Sequence, residues 1–304
     1  MAGTSQTTPD DRGGSQDDRS DPATEAFVAH RNLLFTVAYE MLGSAADAED
    51  ILQETWLRWA GVDLDTVRNQ RAYLVRITTR QALVRLRTLS RRKESYVGPW
   101  LPEPLLTAPD VAEDVELADS VSMAILLVLE TLAPTERAVF VLREVFALEY
   151  GEIADAVRQI AHRARAHVAA RRPRGVVSPA ESRDALEAFQ RALETGDLQS
   201  LLDLLAPDVV LLGDGGGVKQ AVLRPIVGAD KVGRLLAAGL PRIDGTVSVE
   251  PVQMNGSPAL IVRLDGEIDD VVAVRMDDGM ITGLYIVRNP EKLSRVERET
   301  AVSR

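Results

Sequence analysis

Residues 66–93 carry nine cationic side chains (Arg68, Arg71, Arg76, Arg80, Arg85, Arg87, Arg91, Arg92 and Lys93) and no Asp or Glu, in a chain of 304 residues whose formal net charge is -11. Few folds accommodate such a segment. Leu74, Ile77, Ala82, Leu83 and Leu86 recur at helical spacing, so the pattern predicts one helix over 69–92 with an apolar face on a core and arginines projecting from the rest. A face of one sign suits a polyanion, and nucleic acid is the polyanion a helix most readily tracks. The bland reading is a solvated charged face. Such faces usually mix signs for intrahelical pairing, however, and this segment offers no acid to pair with.

The rest of the composition narrows the possibilities by exclusion. The chain has no Cys, which removes disulfides, thiolate zinc sites and cysteine nucleophiles. No apolar run reaches the roughly 20 residues that cross a bilayer, so no membrane partner and a cytoplasmic location are expected. Its histidines are His30, His162 and His167, which leaves everything downstream without His catalysis or His metal ligands. No metal, cofactor or catalytic residue is implied.

Along the chain, the polar residues 1–22 read as a disordered tail. A helical stripe over 25–42 ends at Gly43, and Ser44 is placed to cap a second helix over 45–60. With the basic helix these make a compact all-α domain over 23–93. Residues 94–120 reverse the charge, with seven acids, no Lys or Arg, and four prolines that forbid a continuous helix. Inside this linker Trp100-Leu101-Pro102-Glu103-Pro104 sets large apolar residues in a proline-stiffened stretch, which calls for a cover, either intramolecular docking or a partner surface. Helical patterning resumes over 121–174 and ends in a second acid-free basic run, Arg158 to Arg174. Two basic helices joined by an acidic linker suggest two contacts with DNA.

Residues 175–304 read as a separate unit. Helices over 180–195 and 199–205 precede strand-like runs at 209–212, 221–223, 246–252, 259–264, 271–276 and 281–287, with one helix near 230–238. Helices followed by an antiparallel meander indicate an α+β cone.

The stretch Ala46-Asp47-Ala48-Glu49-Asp50-Ile51-Leu52-Gln53-Glu54-Thr55-Trp56-Leu57-Arg58-Trp59, with Arg71-Ala72-Tyr73-Leu74 after it, resembles the second conserved region of extracytoplasmic function (ECF) sigma factors of bacterial RNA polymerase. Leu132-Ala133-Pro134-Thr135-Glu136-Arg137 resembles the entry to their fourth region. The Trp-Leu-Pro-Glu-Pro linker and the long C-terminal unit resemble the subfamily that carries a SnoaL-like domain of nuclear-transport-factor-like (NTF2-like) fold. The resemblance implies a multidomain chain, with two all-α sigma domains, the second helix-turn-helix-like, followed by an α+β SnoaL-like cone.

It also implies partners and residues. Core RNA polymerase would be met by Asp47, Glu49, Asp50, Gln53, Trp56 and Trp59 at the β′ clamp, with Trp56 expected in the core and Trp59 exposed, and by the fourth region at the β flap. Promoter DNA would meet Arg68, Arg71, Tyr73, Arg76, Arg80, Arg85 and Arg87 at the minus-ten element. At the minus-thirty-five element it would meet Arg158, Gln159, His162, Arg163 and Arg165. There the first and recognition helices abut with no turn, about seven residues short of the usual layout, which leaves open a damaged reader or a missing segment. Trp100, Leu101, Pro102, Glu103 and Pro104 would thread the polymerase cleft. In the subfamily, loops resembling Asp214-Gly215-Gly216-Gly217-Val218-Lys219 and Asn289-Pro290-Glu291-Lys292-Leu293 are associated with control of activity, although Val218 displaces Lys219 from the usual pattern. The implied function is a sigma factor, not an enzyme, modulated in cis by its cone. Its alternatives are a sigma-derived DNA-binding regulator with impaired initiation, or an acid–base cyclase or isomerase acting on a small ligand in the cone, for which Asp265 and Glu267 are the acids available.

Overall fold

The computed structural model describes residues 21–108, 110–111, 114–146, 164, 168, 179–239 and 244–303. Helix α1 (Pro22–Leu42) begins three residues earlier than expected, with Pro22 in its first turn where a missing N–H costs nothing. It stops at Gly43, whose φ of 67° lets its N–H reach Tyr39 O at 2.7 Å. Ser44 then caps α2 (Ala45–Trp59) by accepting from Asp47 N. A short 3-10 turn, Leu64–Thr66, leads into α3 (Gln70–Glu94), the basic helix. The end of the expected linker is itself helical, as α4 (Val115–Val121), and Ser122, whose side chain accepts from Ile125 N, separates it from α5 (Met123–Glu130). Helix α6 (Pro134–Phe140) passes into a π turn, Val141–Val145.

These helices share one core. Leu34, Phe35, Tyr39, Trp59 and Leu74 from the first three helices join Val121, Leu126, Leu129 and Val141 from the later ones, with Ala164 and Val168 also buried there. Arg137 seals the seam: its buried guanidinium donates to Leu129 O and Met41 O and pairs with Glu130 at 2.7 Å. A cation can be buried there because backbone carbonyls and a carboxylate replace its water.

The C-terminal unit opens with α7 (Pro179–Thr195) and α8 (Leu198–Leu204), followed by β1 (Leu205–Asp214), β2 (Ile226–Val227) and α9 (Ala229–Gly239). Strands β3 (Val247–Met254), β4 (Ser257–Leu264), β5 (Glu267–Asp277) and β6 (Met280–Val287) complete it before the short α10 (Pro290–Leu293). The sheet order is β2-β1-β6-β5-β4-β3. It is not the purely antiparallel meander expected, because β1 runs parallel to β6. Nor do residues 221–223 form a strand; the short partner of β1 is β2, at 226–227.

The sheet is covered on both faces. Val272 and Val274 point to a core closed by α7 and α8 through Phe189 and Leu201. Val271 and Ala273 point the other way, to a core that includes Leu101 of the linker and Met123 of α5. The unbroken apolar run from Val271 to Val274 reflects that double burial. The chain's last described stretch returns to the helices: Thr300 N donates to Leu106 O, and Val302 enters the helical core.

Candidate functional site

Helix α3 presents Arg68, Arg76, Arg80 and Arg87 to solvent on or beside it, while Arg71 and Arg85 are half-buried. A groove of about 340 Å³ lies on this face, lined by Arg58, Val62, Tyr73, Arg76, Ile77, Arg80 and Gln81. The Arg76 guanidinium sits 4.7 Å over the Tyr73 ring, and Tyr73 leans on Trp59 with ring centroids 5.8 Å apart. An aromatic wall with cations at its rim can stack an unpaired base and neutralise the phosphates beside it.

The tertiary structure corrects the picture of an unpaired stripe. Arg85 spans to α2, 2.6 Å from Asp47 and 2.9 Å from Asp50, so Arg85 and Asp47 face one another rather than separate partners. Gln81 donates to Glu54 at 2.7 Å, and both carboxylate oxygens of Glu49 accept from one Arg31 nitrogen, Nη2, at 2.9 and 2.7 Å.

The expected roles of the two tryptophans are also reversed. Trp59 is fully buried, and its indole N–H donates to Ala23 O at 2.7 Å; Trp56 is half-buried against Phe27. Trp59 lies four positions after Thr55 and continues the buried stripe of Ala48, Ile51, Leu52 and Thr55, the face that packs on α1 and α3. The outward stripe of α2 is instead Ala46, Asp50, Gln53 and Leu57, at spacings of three and four. Leu57, a residue the sequence reading passed over, is 74% exposed there.

The linker is held by buried polar bonds. Asp214, fully buried at the end of β1, accepts through its carboxylate from Tyr96 Oη (2.6 Å), Leu101 N (2.9 Å), Gly216 N (3.0 Å) and Lys292 Nζ (2.7 Å). Lys292 also donates to Leu101 O and lies 4.1 Å over the Trp100 ring. Burial pushes the Lys292 amine below the usual lysine range, and Asp214 opposes that shift. Lys93 sits 3.4 Å from the centroid of the same ring; burial lowers its pKa to about 8 despite its pairing with Glu130. Asn289 caps α10 by accepting from Glu291 N, and its amide donates to Tyr96 Oη at 2.8 Å. Pro290 fixes the first turn of that helix and Leu293 anchors it in the sheet's core.

The glycines here are required by space as well as by φ. Gly216 and Gly217 have φ of 64° and 74°, a Cβ on Gly216 would overlap the Asn289 amide, and one on Gly217 would stand 3.3 Å from Val97. Lys219, which follows Val218 in the loop, pairs with Asp269 at 2.7 Å.

Farther along, Glu103 accepts from Ala45 N (2.8 Å) and Ala46 N (3.3 Å), so a linker acid caps α2. Burial raises its pKa, while these backbone donors restrain the rise. Pro102 and Pro104 are buried on either side of it.

The acids considered for chemistry in the cone lie outside its interior. Asp265 occupies the β4–β5 turn and accepts from Thr246 N; Glu267 is exposed at the start of β5. Asp270 is the acid that burial perturbs, to about 7, with Arg288 opposing the shift. Arg158, Gln159, His162, Arg163 and Arg165, together with the missing turn, lie outside the described residues, as does the tail before residue 21. Among the described residues no helix is long and apolar enough to cross a membrane, and no cluster of three or more potential ligands could hold a metal.

Known proteins share this arrangement. The family model for sigma-70 region 2 matches residues 26–92. The ECF RNA polymerase sigma factor SigJ of Mycobacterium tuberculosis is 34% identical over 289 residues, spanning 88% of this chain and 92% of its own. The probable ECF RNA polymerase sigma factor SigI of the same organism is 32% identical over 289 residues, spanning 92% of this chain and 97% of its own. The crystal structure of the Mycobacterium tuberculosis ECF sigma factor SigJ superposes with a TM-score of 0.71 at 31% identity, covering 90% of this chain and 99% of that one.

Proposed function

The chain belongs to the ECF sigma factors of RNA polymerase, and from that premise we propose that it binds core polymerase through the outer face of α2, engages melted minus-ten DNA in the α3 groove, and is held inactive by its own C-terminal cone. The domain boundaries at about residues 93, 120 and 174 belong to the same proposal, as does the minus-thirty-five role of Arg158, Gln159, His162, Arg163 and Arg165.

On α2, Asp50, Gln53 and Leu57 supply the outward-facing contacts with the β′ clamp. Glu49 and Trp56 flank them, and Asp47 shapes the acidic face through Arg85. On α3, Arg76 and Arg80 take phosphates, and Tyr73 stacks a base released from the duplex. Arg68, Arg71 and Arg87 extend the cationic track along the strand.

The observation that carries cis inhibition is the Asp214–Lys292 grip on Tyr96 and Leu101. A linker buried against the cone cannot at the same time lie in a polymerase channel. Release of the linker is therefore the activating step, and Asp214, Gly215, Gly216, Gly217, Asn289, Pro290, Lys292 and Leu293 form the lock. Lys219 has a secondary part, steadying the end of the sheet through Asp269.

Abortive transcript synthesis with purified core polymerase on a promoter already melted at minus ten tests the reading. The chain should support synthesis, and Arg76→Ala with Arg80→Ala should reduce it. Binding to duplex DNA without polymerase, together with no synthesis, would mark it as a DNA-binding regulator instead.

A further inference from the structure

The tip of the β3–β4 hairpin, Asn255-Gly256, lies outside both loops associated with the lock, yet it touches α1, the linker and α4 at once. The Asn255 side chain is fully buried. Its Oδ1 accepts from Leu105 N in the linker at 3.0 Å, and its Nδ2 donates to Tyr39 Oη in α1 at 2.7 Å and to Val121 O at the end of α4 at 3.0 Å. Its backbone N–H donates to Leu105 O at 2.8 Å. Tyr39 in turn donates to Glu103 O at 2.6 Å, so one carboxamide closes a loop of bonds through α1, the linker and α4. Every hydrogen-bonding position that the carboxamide uses here is filled by a group from the sigma half of the chain.

The backbone around it is shaped for the same contact. Asn255 has a φ of 56°, a region Asn tolerates better than other side-chain-bearing residues. Gly256 follows at φ 66°, and a Cβ there would stand 2.6 Å from Ala118 Cα, so α4 approaches the hairpin more closely than any side chain allows. Gly256 N donates to Thr107 Oγ1, while Thr107 N donates to Gln253 O. The hairpin thus binds the linker through backbone and side chain together.

We propose that Asn255-Gly256 is a second latch of the closed state, which couples linker release to separation of the cone from both helical units. The Asp214 lock grips only the front of the linker, at Tyr96 and Leu101. Asn255 holds its far end and fastens α1 and α4 to the same point, so neither helical unit can leave while the far end of the linker stays seated. The inference rests on reading the cone as an inhibitor in cis. Loss of the carboxamide strands a buried Leu105 N–H and removes two bonds to the sigma half, which should shift the closed-to-open ratio about tenfold or more.

The test uses the full chain with Asn255→Gly, which keeps the positive φ but deletes the carboxamide. Because the chain has no Cys, spin labels can be placed at Val28→Cys, exposed on α1 away from the proposed polymerase face, and Glu267→Cys on the cone. The expected result is a broadened distance distribution together with about tenfold tighter binding of core polymerase, with the cooperative melt retained. If Asn255→Gly fails to fold, Asn255→Asp carries the same expectations, since it keeps the shape and the acceptor while losing both donors. Asp214→Asn serves as the comparator. Should Asp214→Asn shift distances and affinity while the Asn255 variant shifts neither, the second latch is refuted and the lock stands. Should neither variant shift either quantity, inhibition by the cone fails and the latch falls with it.

Discussion

Replacing Asp214 with Asn keeps the shape of the lock and removes its charge. The carboxylate gives the linker two bonds, from Tyr96 Oη and Leu101 N, and gives the cone two more, from Gly216 N and Lys292 Nζ. A bond to a charged acceptor is worth about 1.5–3 kcal/mol and a neutral one about 0.5–1.5, so the linker's two bonds lose about 2 kcal/mol together. The Lys292 ammonium is left mostly buried without its counter-charge, and breaking one side of such a pair costs up to about 3–5 kcal/mol. Part of that loss falls on the cone itself, so about 2–4 kcal/mol is a fair range for weakening the closed state. That is roughly 30- to 800-fold in the closed-to-open ratio. Where the closed form predominates, apparent affinity for core polymerase should tighten by the same factor until the open form takes over. Titration of labelled polymerase beside a thermal melt measures both quantities. A variant that melts earlier yet binds polymerase no more tightly would show that Asp214 stabilises the fold without restraining the linker.

Trp59→Ala should lower stability by about 3–5 kcal/mol, since it empties a fully buried site and orphans Ala23 O; Leu57→Ala should instead weaken polymerase binding with an unchanged melt, and circular dichroism separates the two. Arg76→Ala with Arg80→Ala should lower the salt slope of binding to a single-stranded minus-ten oligonucleotide by about one unit per Arg, whereas a slope equal to the parent's would remove both from the phosphate track. Asp270 makes stability depend on pH. Its pKa of about 7 in the fold exceeds that of an ordinary Asp, so between those values the native state binds more protons than the unfolded one. Its contribution is complete below the unfolded pKa and is lost as pH rises through about 7. Asp270→Asn should therefore flatten the fall in melting temperature between pH 5 and 8 seen by scanning calorimetry, and an equal fall in both proteins would exclude Asp270 as its source.

Local rules made several elements legible from the chain alone. The acid-free apolar spacing of α3, the Gly43-Ser44 boundary and the order of helices and strands after residue 175 depend on periodicity and capping, which act over a few residues. The run from Val271 to Met276 was legible as a strand, but its burial on both faces emerged only in the fold. What covers the second face could not be read there, because a strand's apolar period carries no information about which distant segment meets it. The linker's Trp100 and Leu101 announced a need for cover in the same way, without naming Asp214 and Lys292 as its source.

Tertiary structure decided the pairings. Whether Arg85 serves nucleic acid or Asp47, and whether Trp59 or Leu57 faces outward, depends on how α2 is rotated against α1 and α3, and a shift of one residue turns the helix by about 100°. The parallel pairing of β1 with β6 joins strands far apart in the chain, a long-range choice that local alternation does not encode. Asn255 is the extreme case: in the sequence it is half of an ordinary Asn-Gly turn. Only the folded chain brings Tyr39, Leu105 and Val121 to its carboxamide, because buried donors and acceptors must find partners wherever the packing puts them.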